Sequence, residues 1–405
     1  MRPNDTEIVD NLQSAGTLRR MPRSPLPSGA DVVIVGGGVV GVSAAFHLAE
    51  AGAEVVLLER DQLASGSTSK AAGGLRAQFS DALNIEIAKR SLAAYKAFEQ
   101  RPGWEIDYEE IGYLFVLTTE TEVEAFKQSV ALQNELGVPS RIIDAKEAIE
   151  ICPLLAGEDI LAASYCPTDA HATPEGVVQG YASGARAHGA HIAVTTPVEG
   201  IDVHNDTITQ VRTTRGTIAT DTVICAAGAW SRACGEMVGV PLDVTPLRRQ
   251  VLFTAPMPDL PRTLPLTIDF ATGFYFHREG RGLLTGMADP NETPGFLMET
   301  TDDWIPGLLA IAEKRAPRLA TAPIQGGWAG LYDMSPDYNA MIGEAKGVSR
   351  FLYATGFSGH GFLQGPATGE ILRDLVLGRA PFVDVTPMSA ERFDGGLLTP
   401  EFHIV

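Results

Sequence analysis

Apolar and polar positions change rhythm several times along this chain. Residues 32–35, Val-Val-Ile-Val, form a β-branched run with no polar break, the pattern of a strand covered on both faces. Beyond Gly41 the rhythm lengthens: Val42, Ala45, Phe46 and Ala49 recur at helical spacing, and Gly52 ends the helix. Glu54 to Leu58 reads as a second strand and leads into Glu59. From residue 194 the pattern alternates, with turns at Asn205-Asp206 and Arg215-Gly216, which predicts a β-meander. Val223 to Cys225 is again a buried strand, ending in Ala226-Ala227-Gly228-Ala229-Trp230. Residues 243–254 and 273–287 read as strands, the second folded at Glu279-Gly280, so Tyr275 and His277 share one face. Residues 120–137 and 301–317 read as helices outside the sheet. Phe351-Leu352-Tyr353 reads as a last parallel strand before GFSGHGFLQGPATGE, residues 356–370. There Pro366 suits the first turn of a helix with the buried stripe Ile371, Leu372, Leu375 and Val376, ended by Gly378.

Composition narrows the class. A chain of 405 residues, 45% apolar and 20% charged, suits a globular protein of two domains. A net charge of -19 argues against nucleic acid or an anionic membrane as a partner, and an anionic substrate then needs a local cationic pocket. Cys152, Cys166, Cys225 and Cys234 lack metal-site spacing, so no metal is expected. Arg19, Arg20 and Arg23 precede no apolar run, so residues 1–29 read as a tail rather than a signal peptide, and cytoplasmic location is the expectation.

The chemistry starts at Gly36, Gly38 and Gly41, a G-x-G-x-x-G set between strand and helix. The first glycine permits the turn, the second lets backbone approach a pyrophosphate, and the third lets helix pack on strand. Glu59 lies 18 residues after Gly41, where a carboxylate meets ribose hydroxyls, as for NAD or FAD. Three more segments follow in order: SGSTSKAAGG, VICAAGAWS and GFSGHGF. Together with the first motif they resemble the FAD-dependent amine oxidoreductases of the D-amino-acid-oxidase superfamily, nearest the sarcosine oxidase and glycine oxidase branch. The resemblance spans roughly residues 30–380.

That resemblance implies an α/β chain: a discontinuous Rossmann-like FAD-binding domain plus a substrate domain whose large antiparallel or mixed β-sheet roofs the flavin. The expected divisions are 30–94, 156–235 and 336–385 for the FAD domain and 95–155 and 236–335 for the substrate domain, with a docked tail of no clear element over 386–405. It places adenine-side contacts at Glu59 and Val198, and pyrophosphate contacts at Gly36, Gly38, Gly41, Thr68 and Ser69. Arg60, Ser67, Gly74, Ala227, Gly228 and Trp230 join the cofactor set. So do Gly356, Gly359, His360, Gly361, Phe362 and Leu363, where a helix start would favour negative charge on the flavin.

Amine oxidation asks the protein for orientation, a dry pocket and a match to the substrate's charge. It implies hydride transfer to flavin N5, imine hydrolysis to amine plus glyoxylate or another carbonyl product, and reduction of O2 to H2O2. Arg76 is the first candidate for a substrate carboxylate, against a structural role; Arg249, Tyr275 and His277 complete the substrate-side set. Sarcosine oxidases of this kind carry lysines where this chain has Leu363 and Leu284, and a flavin-linking cysteine at Gly330. Noncovalent FAD and a greasier pocket for an N-substituted glycine are therefore expected. A dehydrogenase passing electrons to a partner and a non-catalytic FAD-binding assembly factor are the alternatives. Homodimer or heteromeric assembly stays open.

Overall fold

The computed structural model describes residues 25–395 and 398–403, so most of the expected N-terminal tail lies outside the described residues. The β-branched run Val32–Val35 sits inside a six-stranded sheet. In spatial order its strands are Met341–Glu344, Phe351–Thr355, Val223–Cys225, Val32–Val35, Val55–Leu58 and His191–Ala193. All neighbours run parallel except the outermost pair, Met341–Glu344 against Phe351–Thr355. Val32 and Ile34 point into a core of helices, formed by Val39–Glu50, Pro174–Ala187 and Gly361–Val376. Val33 faces the other way, into a core completed by the three-stranded meander Val198–His204, Thr207–Thr213 and Gly216–Ala219. Both faces being covered is why the strand reads as unbroken apolar sequence.

The second sheet has eight strands, in the order Ile324–Met334, Thr245–Thr254, Gly282–Gly286, Phe274–Glu279, Leu266–Asp269, Tyr113–Leu117, Ala162–Cys166 and Arg141–Ile143. It is mixed: Leu266–Asp269 runs parallel to Tyr113–Leu117 and the remaining pairs are antiparallel. Alternation sorts its two faces. Leu114, Val116, Leu252, Phe274, Phe276 and Leu283 pack outward against helix Ile305–Arg315. Tyr113, Leu266 and Ile268 pack on the inner face, where Phe126 of helix Glu120–Glu135 closes one end. Strand Ala162–Cys166 belongs to this sheet, so the FAD-domain segment expected to resume at 156 begins later.

Two expectations near the chain's end need correction. The closing helix starts at Gly361, so Pro366 lies inside it rather than in its first turn. A proline there has no N–H for the carbonyl four residues back, that of Phe362. The Tyr95 hydroxyl supplies the missing donor at 2.5 Å. Secondly, residues 386–395 do contain elements, two short 3-10 helices at Thr386–Met388 and Ala390–Gly395. Beyond them Glu401 and His403 are buried, and the His403 ring stacks on Phe126 at 4.3 Å between centroids.

Candidate functional site: a cavity between the two sheets

A cavity runs from the carboxyl ends of the parallel strands to the inner face of the eight-stranded sheet. At its start the three glycines have separate jobs. Gly36 has φ +116°, and a Cβ there would lie 2.2 Å from the Ala226 carbonyl oxygen. A Cβ on Gly41 would lie 2.0 Å from the Gly36 carbonyl oxygen, which is the close helix-on-strand contact expected of it. Gly41 therefore packs behind the cavity and does not line it. Gly38 meets only Thr68 Oγ1, at 3.2 Å, and opens onto the cavity, leaving room for a phosphate to approach the backbone. The first helix begins there with no acidic residue in its first turn, so its N-terminal field is left for an anion. The Val39 N–H donates to Thr68 Oγ1 at 3.2 Å.

Glu59 accepts from the N–H groups of Gly37 and Asp61, both at 2.8 Å, which fixes its carboxylate at the cavity edge with lone pairs to spare. Beyond it lie Val198, Ala227 and Gly228, with the Arg60 guanidinium 3.8 Å over the Trp230 ring. Ser67 and Gly74 also line the cavity. Ser69 does not: its N–H closes a turn on the Ala64 carbonyl at 3.1 Å, and it stands outside the lining.

At the far end the loop 356–360 turns under the wall. Gly359 has φ +99°, and a Cβ on it would lie 2.5 Å from the Tyr332 ring. Gly356 (φ +70°) lies behind the lining, with its N–H donating to the Asp333 carboxylate at 2.8 Å. Burial raises the Asp333 carboxyl to about 6. His360, Gly361, Phe362 and Leu363 line the cavity, and the closing helix starts at Gly361 with no acid in its first turn. These features suit a dinucleotide whose phosphates meet one helix start and whose ring meets another.

On the roof, Arg249 and Val251 face the cavity, whereas Arg248 points outward to Glu292 at 2.7 Å, as strand alternation requires. Arg249 donates to the Arg248 carbonyl at 3.3 Å and lies 5.2 Å from the Tyr332 ring centroid. Its buried Nε has no partner among the described residues. Tyr275 and Tyr332 stand beside it, Tyr113 lines the same cavity, and burial holds all three hydroxyls protonated. Leu266 and Ile268 supply the apolar wall. Tyr113, Leu266 and Ile268 were not singled out in the sequence, because they sit on ordinary roof strands without any local motif.

Three substrate-side expectations change. Arg76 borders the cavity, but its guanidinium donates to the carbonyls of Gln78 and His403 and contacts His360 Nε2 at 3.0 Å. It ties the loop to the C-terminal segment. His277 shares a face with Tyr275 as expected, yet it lies outside the lining, with its ring 5.1 Å from that of His171. Leu284 is buried in the roof and is not part of the cavity wall either.

The comparisons with known proteins agree with this geometry. The model of the DAO family, FAD dependent oxidoreductase, matches residues 31–375. The chain is 33% identical to the mitochondrial dimethylglycine dehydrogenase of Mus musculus, covering 90% of this chain but 44% of that protein. It thus spans less than half the length of the dimethylglycine dehydrogenases it matches. It is 30% identical to glycine oxidase of Geobacillus kaustophilus, over 90% of this chain and 97% of that one. Its structure superposes on L-proline dehydrogenase from P. horikoshii with a TM-score of 0.87 and 33% identity, covering 92% of this chain and 100% of that chain. The chain belongs to the DAO family of FAD-dependent oxidoreductases.

Proposed function

We propose that this chain oxidises the carbon–nitrogen bond of an amino acid with a substituted amine, an N-alkyl glycine being the type substrate. Arg249 carries the reading: a cation on the cavity wall whose Nε has no partner. A carboxylate is the group that an unfilled guanidinium edge binds best, through two parallel hydrogen bonds. Arg76 has its donors engaged elsewhere, so the carboxylate role passes to Arg249. Tyr275 and Tyr332 offer neutral hydroxyls beside it. Val251, Leu266 and Ile268 suit an N-alkyl group and keep water from the reacting carbon.

Bound FAD supplies the two-electron acceptor for the substrate C–H bond. The amine gives up electrons only when neutral. Of the lining acids, Glu59 and Asp333 are both engaged by backbone N–H groups, so neither is poised to hold the substrate as an ammonium ion. The imine product hydrolyses to an amine and a carbonyl compound; attack at the glycine carbon gives glyoxylate. We further propose noncovalent FAD. A Cβ on Gly330 would lie 2.5 Å from Lys70 Cβ, so the wall has no space there for a thiol side chain. Acid precipitation should then leave all the yellow colour in the supernatant.

A screen of glycine, sarcosine, proline, D-amino acids and N-alkyl glycines for anaerobic flavin bleaching tests the substrate class. Bleaching by amines lacking a carboxylate as readily as by N-alkyl glycines would overturn it. Arg249→Gln should raise KM for carboxylate substrates on the order of 100-fold, two charged hydrogen bonds being lost, while FAD content is kept. Readmitting air separates two acceptors. Fast reoxidation with peroxide release marks an oxidase; slow reoxidation marks a dehydrogenase unit, the reading favoured by the names of several relatives.

A further inference from the structure

His171 and His277 meet behind the cavity, where strand Ala170–His171 pairs with Gly74–Leu75 and strand Phe274–Glu279 passes above. We propose that His171, His277 and Glu279 hold one divalent transition-metal ion, zinc by preference. One ligand atom from each of the three lies within 4.8 Å of the others.

The orientation of His277 is the strongest support. The residue is fully buried, and its Nδ1 lies 2.8 Å from the Arg278 carbonyl oxygen. A carbonyl only accepts, so a proton on Nδ1 serves it and leaves Nε2 as a lone pair, on a ring that the Ala72 backbone also approaches. That Nε2 has no hydrogen-bond partner among the described residues. An unpaired polar atom in a core is costly, by about 1–3 kcal/mol. An imidazole with one nitrogen bonded to a backbone carbonyl and the other presenting its lone pair is the form in which histidine binds metal. Glu279 lies at the exposed end of its strand, which gives an ion a way in.

Two imidazoles and one carboxylate suit zinc rather than calcium or magnesium, which prefer oxygen ligands. Bonds of about 2.1 Å in a tetrahedron place donors about 3.4 Å apart, so the three must draw together by roughly an ångström. Glu279, beside the hairpin turn, is the member with room to move. The ion would sit against Ala72–Gly73, whose other side lines the cavity; a Cβ on Gly73 would lie 2.5 Å from His171 Nε2. Its effect would be to pin residues 71–74 to the roof. This proposal does not depend on the substrate.

The test uses the purified full chain with its flavin, stripped with EDTA, dialysed and titrated calorimetrically with zinc chloride. The expected result is one zinc per chain at micromolar or tighter affinity, weakened at least tenfold in Glu279→Gln and in His171→Gln. Flavin content and visible spectrum should be unchanged, and magnesium should not compete. Cobalt(II) should give the intense visible bands of a four-coordinate site in the wild type and lose them in Glu279→Gln. No saturable zinc binding at micromolar concentration overturns the proposal. So does binding that both variants retain at full strength.

Discussion

Asp333 is a carboxyl group that the fold keeps in a place a charge dislikes. Its value of about 6 stands above the ordinary 3.8 because burial outweighs the N–H groups it accepts from. The native state therefore prefers the protonated acid. The stability this gives is complete below the ordinary value and is lost as pH rises through 6. Asp333→Asn keeps an accepting oxygen and cannot ionise. The melting temperature of the variant, relative to wild type, should rise between pH 5 and pH 8, by about 1.4 kcal/mol in stability. A difference that is the same at both pH values would show that the group is not buried as described. Arg76 and Arg249 make the complementary point about cations. Arg76 was visible beside a flavin segment and Arg249 on a roof strand, but sequence cannot say which guanidinium is already spent on carbonyls. That choice depends on His403, a residue far along the chain that docks beside Arg76.

Among the elements, the first and closing helices pack closely. A Cβ on Gly365 would lie 2.8 Å from a Val39 methyl, and one on Gly369 would lie 2.2 Å from Ser43 Oγ and 2.7 Å from the Ser43 backbone. These two glycines serve helix packing, while Gly359 and Gly361 serve the loop. Gly369→Ala must push the helices apart and should cost about 1–3 kcal/mol, seen as a lower melting temperature with FAD released at lower temperature than in wild type. An unchanged melting temperature would mean the helices have slack. The nucleotide end of the site was legible because its parts are contiguous: strand, glycines, helix and acid follow within 30 residues. The substrate end was legible only in part: Arg249 and Tyr275 were named but Tyr113 and Leu266 were not, because the lining comes from separate strands. Nothing local in their sequence says which face of each strand looks inward. The His171–His277 pairing is hidden for the same reason.

For the molecule as a whole, the two sheets share one cavity and the C-terminal segment bolts them together. Arg392 holds Asp337 with two hydrogen bonds of 2.8 and 2.9 Å, Glu401 accepts from the Ser80 hydroxyl at 2.9 Å, and His403 covers Phe126. Ending the chain after Gly395 would free one Arg76 donor and expose Phe126. The truncated protein should melt several degrees lower and lose FAD on dialysis that the full chain survives. Retention of both properties would reduce the segment to decoration.

The order of strands in the parallel sheet has a consequence for how the protein is made. Val32–Val35 lies in the middle, yet one neighbour on that side is Val223–Cys225, and the strand beyond it is Phe351–Thr355. On a ribosome, the glycine signature is finished 310 residues before Phe351 exists. A nascent chain carries its most recognisable motif early and can do nothing with it. The cofactor can find a complete site only when the other end of the sequence has arrived, so folding of this site should be late, slow and dependent on distant partners rather than on the motif that names it.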